Sequence, residues 1–160
     1  MDTTQHQEST QLSISISRSY RVAPEKVWRA WTEPQALSQW FGPGKNPSVI
    51  TAEIDLRVGG RYRIAFETPE GETHEATGVY QEVVPHRRLV FTWAWKSTPE
   101  RVSRVSIDIK PLADGAEEGT ELRFVHDRFF DAKARDNHQR GWPLFFDNLG
   151  DFLQLNPQEA

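Results

Sequence analysis

Residues 131–153 read DAKARDNHQRGWPLFFDNLGDFL. Asp131 is a favourable N-cap, and His138, Trp142, Phe145, Phe146, Leu149, Phe152 and Leu153 recur at helical spacing, so the stretch is predicted to form one long C-terminal helix with an apolar stripe. Gly141 and Pro143 fall inside it. Because proline removes a backbone hydrogen bond and crowds the preceding turn, a kink or break is expected near Arg140. No other segment is long enough to cover a sheet, so the architecture turns on this helix.

Upstream the period changes to two. Leu12 to Tyr20 alternates Leu12, Ile14 and Ile16 with serines, the mark of a strand with one buried face. Ala23-Pro24-Glu25 then opens a helix carrying Val27, Trp28 and Trp31, with proline in the first turn where its missing N–H costs little. A second short helix follows Pro34 and carries Leu37, Trp40 and Phe41, and Gly42 to Pro47 is a loop.

From Ser48 the alternation returns, with Ile50, Ala52, Ile54, Leu56 and Val58 expected on the buried face and Gly59-Gly60 as a two-residue hairpin turn. Further strands are predicted over Arg61 to Thr68, Thr77 to Val84, Leu89 to Trp95, Val102 to Leu112 and Thr120 to Asp127, with Ala113 to Gly119 as an acidic turn. Strands joined by short turns pair antiparallel, and a sheet with one apolar face needs a cover. The expected fold is therefore α+β: a curved antiparallel sheet of about six or seven strands wrapped around the C-terminal helix, with two short helices after the first strand. The domain is expected over 12–154, between a disordered tail at 1–11 and a second tail at 155–160.

A chain of 160 residues fits one domain. Its 19 Lys plus Arg against 23 Asp plus Glu leave a net charge of −4, which speaks against a nucleic-acid partner. There is no cysteine, which excludes disulfides, thiolate catalysis and cysteine-held zinc or iron–sulfur centres. No apolar run is long enough to span a membrane and Met1 is not followed by a basic then hydrophobic leader, so the expected location is the cytoplasm.

Several ordered motifs resemble one family. They are Tyr20-Arg21-Val22-Ala23-Pro24-Glu25-Lys26-Val27-Trp28-Arg29-Ala30-Trp31-Thr32, Leu37-Ser38-Gln39-Trp40-Phe41-Gly42-Pro43, Asp55-Leu56-Arg57-Val58-Gly59-Gly60-Arg61-Tyr62, Arg88-Leu89-Val90-Phe91-Thr92-Trp93, Thr120-Glu121-Leu122, and Gly141-Trp142 with Leu149. Together they resemble the family related to the activator of the ninety-kilodalton heat-shock protein ATPase, within the START-like, birch-pollen-allergen-like (SRPBCC) superfamily. The resemblance covers about residues 12 to 154 and implies a helix-grip fold. The superfamily includes lipid carriers, polyketide cyclases and co-chaperones, so activity follows from it by analogy only. The co-chaperone that names the family carries a further N-terminal domain beyond the stretch that this chain matches.

The aromatic content exceeds what a core of this size requires, and pockets for apolar ligands are lined by such side chains. The expected lining comprises Trp31 and Trp40 from the short helices, Tyr62, Ile64, Phe66, Phe91, Trp93, Ile107 and Phe124 from strands, and Trp142, Phe145 and Leu149 from the long helix. His126 shares parity with Leu122 and Phe124, so it points inward, where it or a tyrosine hydroxyl orients a ligand. As a weak candidate it is also the general base of an enzyme. Asp127 faces the other way and makes no dyad with it. Arg18 is a candidate at the cavity mouth, and Glu53 with Asp55 a minor candidate carboxylate pair.

The histidines at 6, 74, 86, 126 and 138 make no ligand pair, so no metal site is expected. Gly59-Gly60 is no phosphate loop and no Gly-x-Ser-x-Gly elbow exists, so no cofactor and no serine hydrolase chemistry are implied. Three functions follow: a binding module for a small apolar ligand, with a stress-related role implied by the resemblance; a cyclase- or isomerase-type enzyme using the same cavity; or a co-chaperone-like protein meeting a chaperone through the polar row Glu53, Asp55, Arg57, Arg61 and Arg63. A monomer and a homodimer are both compatible with the pattern.

Overall fold

A computed structural model describes residues 12–112 and 119–155. Its strands are β1 (Ile14–Tyr20), β2 (Val49–Ile54), β3 (Arg61–Glu67), β4 (Thr73–Val84), β5 (Arg88–Trp95), β6 (Ser103–Pro111) and β7 (Thr120–Asp127). Its helices are α1 (Pro24–Thr32), α2 (Pro34–Leu37) and α3 (Ala132–Leu155). The seven strands form one antiparallel sheet in the order β1-β7-β6-β5-β4-β3-β2. All neighbours are consecutive in sequence except β1, which closes against β7. This is the helix-grip arrangement expected above.

The register explains the core. Ile16 pairs with Phe124, Phe124 with Ile107 and Ile107 with Leu89, so one row of apolar side chains crosses four strands on the face toward α3. A second row runs Ile14, His126, Val105 and Phe91. Residues directly opposite on one face are the contacts that stabilise a sheet. From α3, Phe146 packs on Phe124 and Trp31, and Phe145 on Phe41 and Phe66, with ring centroids 4.9 to 5.9 Å apart. Helix α1 has Pro at its start, and Val27, Trp28 and Trp31 are buried as its spacing predicts.

Three expectations are corrected. Ile50 and Val58 are exposed and Leu56 lies at the surface: the pairing of β2 with β3 shifts register between Val49 and Thr51, which turns Ile50 outward, and Leu56 and Val58 lie beyond β2 in the connection 55–60. A bulge adds one residue and exchanges the faces, so Val49 turns inward together with Ala52 and Ile54 while Ile50 turns outward. Gly59-Gly60 is not a two-residue turn either, since the connection spans 55–60. Within it the Asp55 N–H donates to Arg61 O, Gly59 N–H to Tyr80 O, and Tyr80 N–H to Gly60 O. A Cβ on Gly60 would stand 2.0 Å from Asp55 O, so only glycine fits there.

Third, of the kink or break expected near Arg140 the break is absent, since α3 continues through Gly141 and Pro143 as one helix. Asp131 caps it as expected, accepting from Ala134 N–H at 2.8 Å. Leu155 belongs to the helix rather than to a tail. The expectations for 1–11, for 113–118 and for 156–160 lie outside the described residues.

Candidate functional site

On α3, Asn137, His138, Gly141, Trp142 and Phe145 fall one to two turns apart, so helical periodicity stacks them on one face. Opposite them stand Phe66 from β3, His74 from β4 and Trp93 and Trp95 from β5. Phe66 pairs directly with His74 in the sheet. Pro43 and Thr68 complete the rim of an open cleft of about 230 Å³. Asn148 of α3 holds the loop bearing Pro43, donating through Nδ2 to the carbonyls of Gly42 (2.8 Å) and Gly44 (2.6 Å).

The polar atoms of the aromatic walls are engaged within the protein. Trp93 Nε1 and Trp95 Nε1 both donate to His138 Nε2, at 3.2 and 3.1 Å. An indole N–H can only donate, so Nε2 carries the lone pair and Nδ1 the proton, which goes to Ala134 O at 2.7 Å. Behind them Trp142 Nε1 donates to His126 Nδ1 at 3.0 Å. By the same logic His126 Nε2–H donates to Ser103 Oγ at 2.7 Å, and the Ser103 hydroxyl passes a hydrogen bond to Trp93 O at 3.1 Å. Ser103 is a diagonal neighbour of His126, because Val105, two residues on, pairs with it.

Burial holds both imidazoles neutral. His126 is pushed well below the usual histidine range first by desolvation and then by the nearby His138, and His138 is lowered by desolvation against the opposing pull of its bond to Ala134. Neither ring retains a lone pair for a substrate.

Of the expected lining residues, the structure brings Phe66, Trp93, Trp142 and Phe145 to the cleft. Tyr62, Ile64, Phe91 and Trp31 surround, with Trp93, a separate void of about 10 Å³, room for roughly one water molecule. Trp40, Ile107, Phe124, Leu149 and His126 are packed in the core, with Trp40 Nε1 donating to Ala30 O at 3.0 Å. The Tyr62 hydroxyl, whose pKa burial raises, donates to Thr92 O at 2.6 Å, and Tyr62 is not among the residues lining the cleft.

The remaining candidates are occupied by ion pairs. Arg18 meets Asp147 of α3 at 3.2 Å. Arg63 bridges Glu53 and Glu75, Arg57 holds Asp55, and Asp127 pairs with Arg104 on the face away from His126. Sequence reasoning missed Trp95, His138, His74, Asn137, Gly141, Thr68 and Pro43 at the cleft. For Trp95 the signal was its shared side with Trp93, and for His138 its place in the helical stripe one turn before Trp142. Among the described residues no cluster of His, Cys, Asp and Glu could hold a metal ion, and no helix is long and apolar enough to cross a membrane.

A family model described as Activator of Hsp90 ATPase homolog 1-like protein matches residues 21–154. None of the curated proteins compared matches the chain. Among solved structures, protein NE0264 of Nitrosomonas europaea is similar at 26% identity and a TM-score of 0.75, over 92% of this chain and 97% of that one. Protein CV1439 of Chromobacterium violaceum is similar at 29% identity and a TM-score of 0.73, over 86% and 94%. The AHSA1 protein SPO3351 of Silicibacter pomeroyi, at 23% identity and a TM-score of 0.75 over 90% and 99%, shares the fold.

Proposed function

The chain belongs to the Activator of Hsp90 ATPase homolog 1-like family, and from that premise we propose that it binds a small apolar molecule in the cleft between β3–β5 and α3. One observation carries the reading: the indole N–H groups of Trp93, Trp95 and Trp142 are all taken by histidines, so the cleft presents aromatic faces and edges with the polar atoms of those rings turned inward. Pockets of this kind gain affinity from apolar contact and direction from a few polar groups. A stress-related setting is carried to this reading by the family description alone.

An enzyme reading has less to work with. His126 is fully buried away from the cleft, and His138 offers no free lone pair. A general base must reach the proton it removes. The outer row proposed for a chaperone contact is largely self-neutralised by the Glu53–Arg63–Glu75 bridge.

Native mass spectrometry of the purified protein, followed by denaturing extraction, tests the binding reading. A co-purifying apolar metabolite of about ten to fifteen heavy atoms is the expected result. Purified protein that is empty and takes up no aromatic probe on addition refutes it.

A further inference from the structure

The cleft is apolar within, and Thr68, His74 and Asn137 are polar side chains among its lining residues. Arg140 Nη2 donates to Asn137 Oδ1. A guanidinium has no acceptor, so this contact fixes the Asn137 amide with its oxygen toward Arg140 and leaves Nδ2, a donor, as the group the amide has to offer. Thr68 Oγ1 accepts the Glu72 backbone N–H at 3.1 Å and keeps its hydroxyl proton to donate. No carboxylate is among the residues lining the cleft.

We propose that the ligand is a one- or two-ring compound carrying a hydrogen-bond acceptor at one end, a carbonyl or carboxylate oxygen. The rings lie against Trp93, Trp95 and Phe145, and the oxygen lies at the rim on Asn137 Nδ2 and the Thr68 hydroxyl. Size sets the ring count, since an apolar cavity of about 150 Å³ holds benzene and this cleft measures about 230 Å³. Charge sets the head group. An ammonium gains attraction from the aromatic faces but meets no carboxylate among the lining residues, and Asn137, its oxygen held by Arg140, has only N–H donors left to offer it.

The inference rests on the binding reading, and the test separates them. Three probes share one bicycle: naphthalene, 1-naphthylacetate and 1-naphthylmethylammonium, each titrated calorimetrically into the intact chain. The expected order is acetate, then naphthalene, then ammonium, with the acetate about tenfold tighter than naphthalene, the gain of one charge-assisted hydrogen bond. Asn137→Ala with Thr68→Val abolishes the preference, so that the acetate binds no tighter than naphthalene to that variant. Arg140→Ala, which frees the amide to flip, weakens the acetate alone. Equal binding of all three, or preference for the ammonium, overturns the acceptor assignment while the apolar cleft stands. Failure of all three to bind overturns both.

Discussion

His126 and His138 stand with ring centroids 5.0 Å apart, and each takes an indole N–H through one nitrogen while donating through the other. The pair joins four elements, β5, β6, β7 and α3, by hydrogen bonds beneath the cleft. It makes the aromatic floor apolar by consuming its donors. Under the proposed binding reading, the imidazoles shape the site through the tryptophans whose N–H groups they hold.

Replacing His126 leaves Trp142 Nε1 and Ser103 Oγ without their partner in a fully buried site. His126→Ala is expected to lower stability by about 3 kcal/mol, from the lost hydrogen bonds together with the space left behind. Ser103→Ala removes the acceptor of His126 Nε2–H and the donor to Trp93 O but leaves a smaller gap, and is expected to cost less, about 1 to 2 kcal/mol. Urea unfolding followed by fluorescence measures both. An unchanged midpoint in His126→Ala would show that the network contributes no stability.

Acid should act through the same pair. Both pKa values are depressed in the folded protein, so the unfolded chain binds more protons below the ordinary histidine value of about 6.5. Stability from this source is therefore full above that pH and falls as the pH drops through it. The groups facing the two rings are Ser103, Phe129, the Ala134 carbonyl and the tryptophans, with no carboxylate to stabilise an imidazolium. Unfolding midpoints between pH 7.5 and 5.5 should decline in the native protein. They should decline less in a His138→Gln variant, and equal slopes would contradict the assignment.

Gly78 tests the close approach of β4 to β5. A Cβ there would lie 1.9 Å from Thr92 O and 2.6 Å from Tyr62 Cε2, beside the hydrogen bond from the Tyr62 hydroxyl to that same carbonyl. Gly78→Ala is expected to destabilise by about 3 kcal/mol, since an overpacked core must shift backbone. A denaturant midpoint within error of the native one would contradict the geometry.

Much of the sheet was legible because β1, β6 and β7 alternate more buried with more exposed residues along most of their length. Thr120–Asp127 has Leu122, Phe124 and His126 buried as parity demands, and Leu89, Phe91 and Trp93 behave likewise in β5. The bulge at Ile50 was not legible, since no glycine or proline marks it and its effect is to exchange faces. The unbroken α3 ran against the local rule for Pro143. Packing of Trp142, Phe145 and Phe146 into the sheet outweighs one missing backbone bond there. Parity placed His126 inside, but its partners lie 16 and 23 residues away in sequence, a distance that no local pattern spans. The cleft itself lies where β3, β4, β5 and α3 meet, so its membership follows from pairing and helix orientation rather than from any one segment.

The central claim is that this cleft is the ligand site, and Gly141 gives the most direct access to it. Gly141 lines the cleft and a Cβ placed on it meets nothing within 4 Å, so Gly141→Leu starts a side chain from open space at the cleft and raises helix propensity by up to about 1 kcal/mol. The measurement is a calorimetric titration of naphthalene into the native protein and into Gly141→Leu, with thermal unfolding recorded for each. The account predicts saturable one-to-one binding to the native chain, binding at least about tenfold weaker in the variant, the equivalent of 1.4 kcal/mol, and a variant at least as stable as the native protein. Equal binding by the two proteins, or none by the native one, would contradict it.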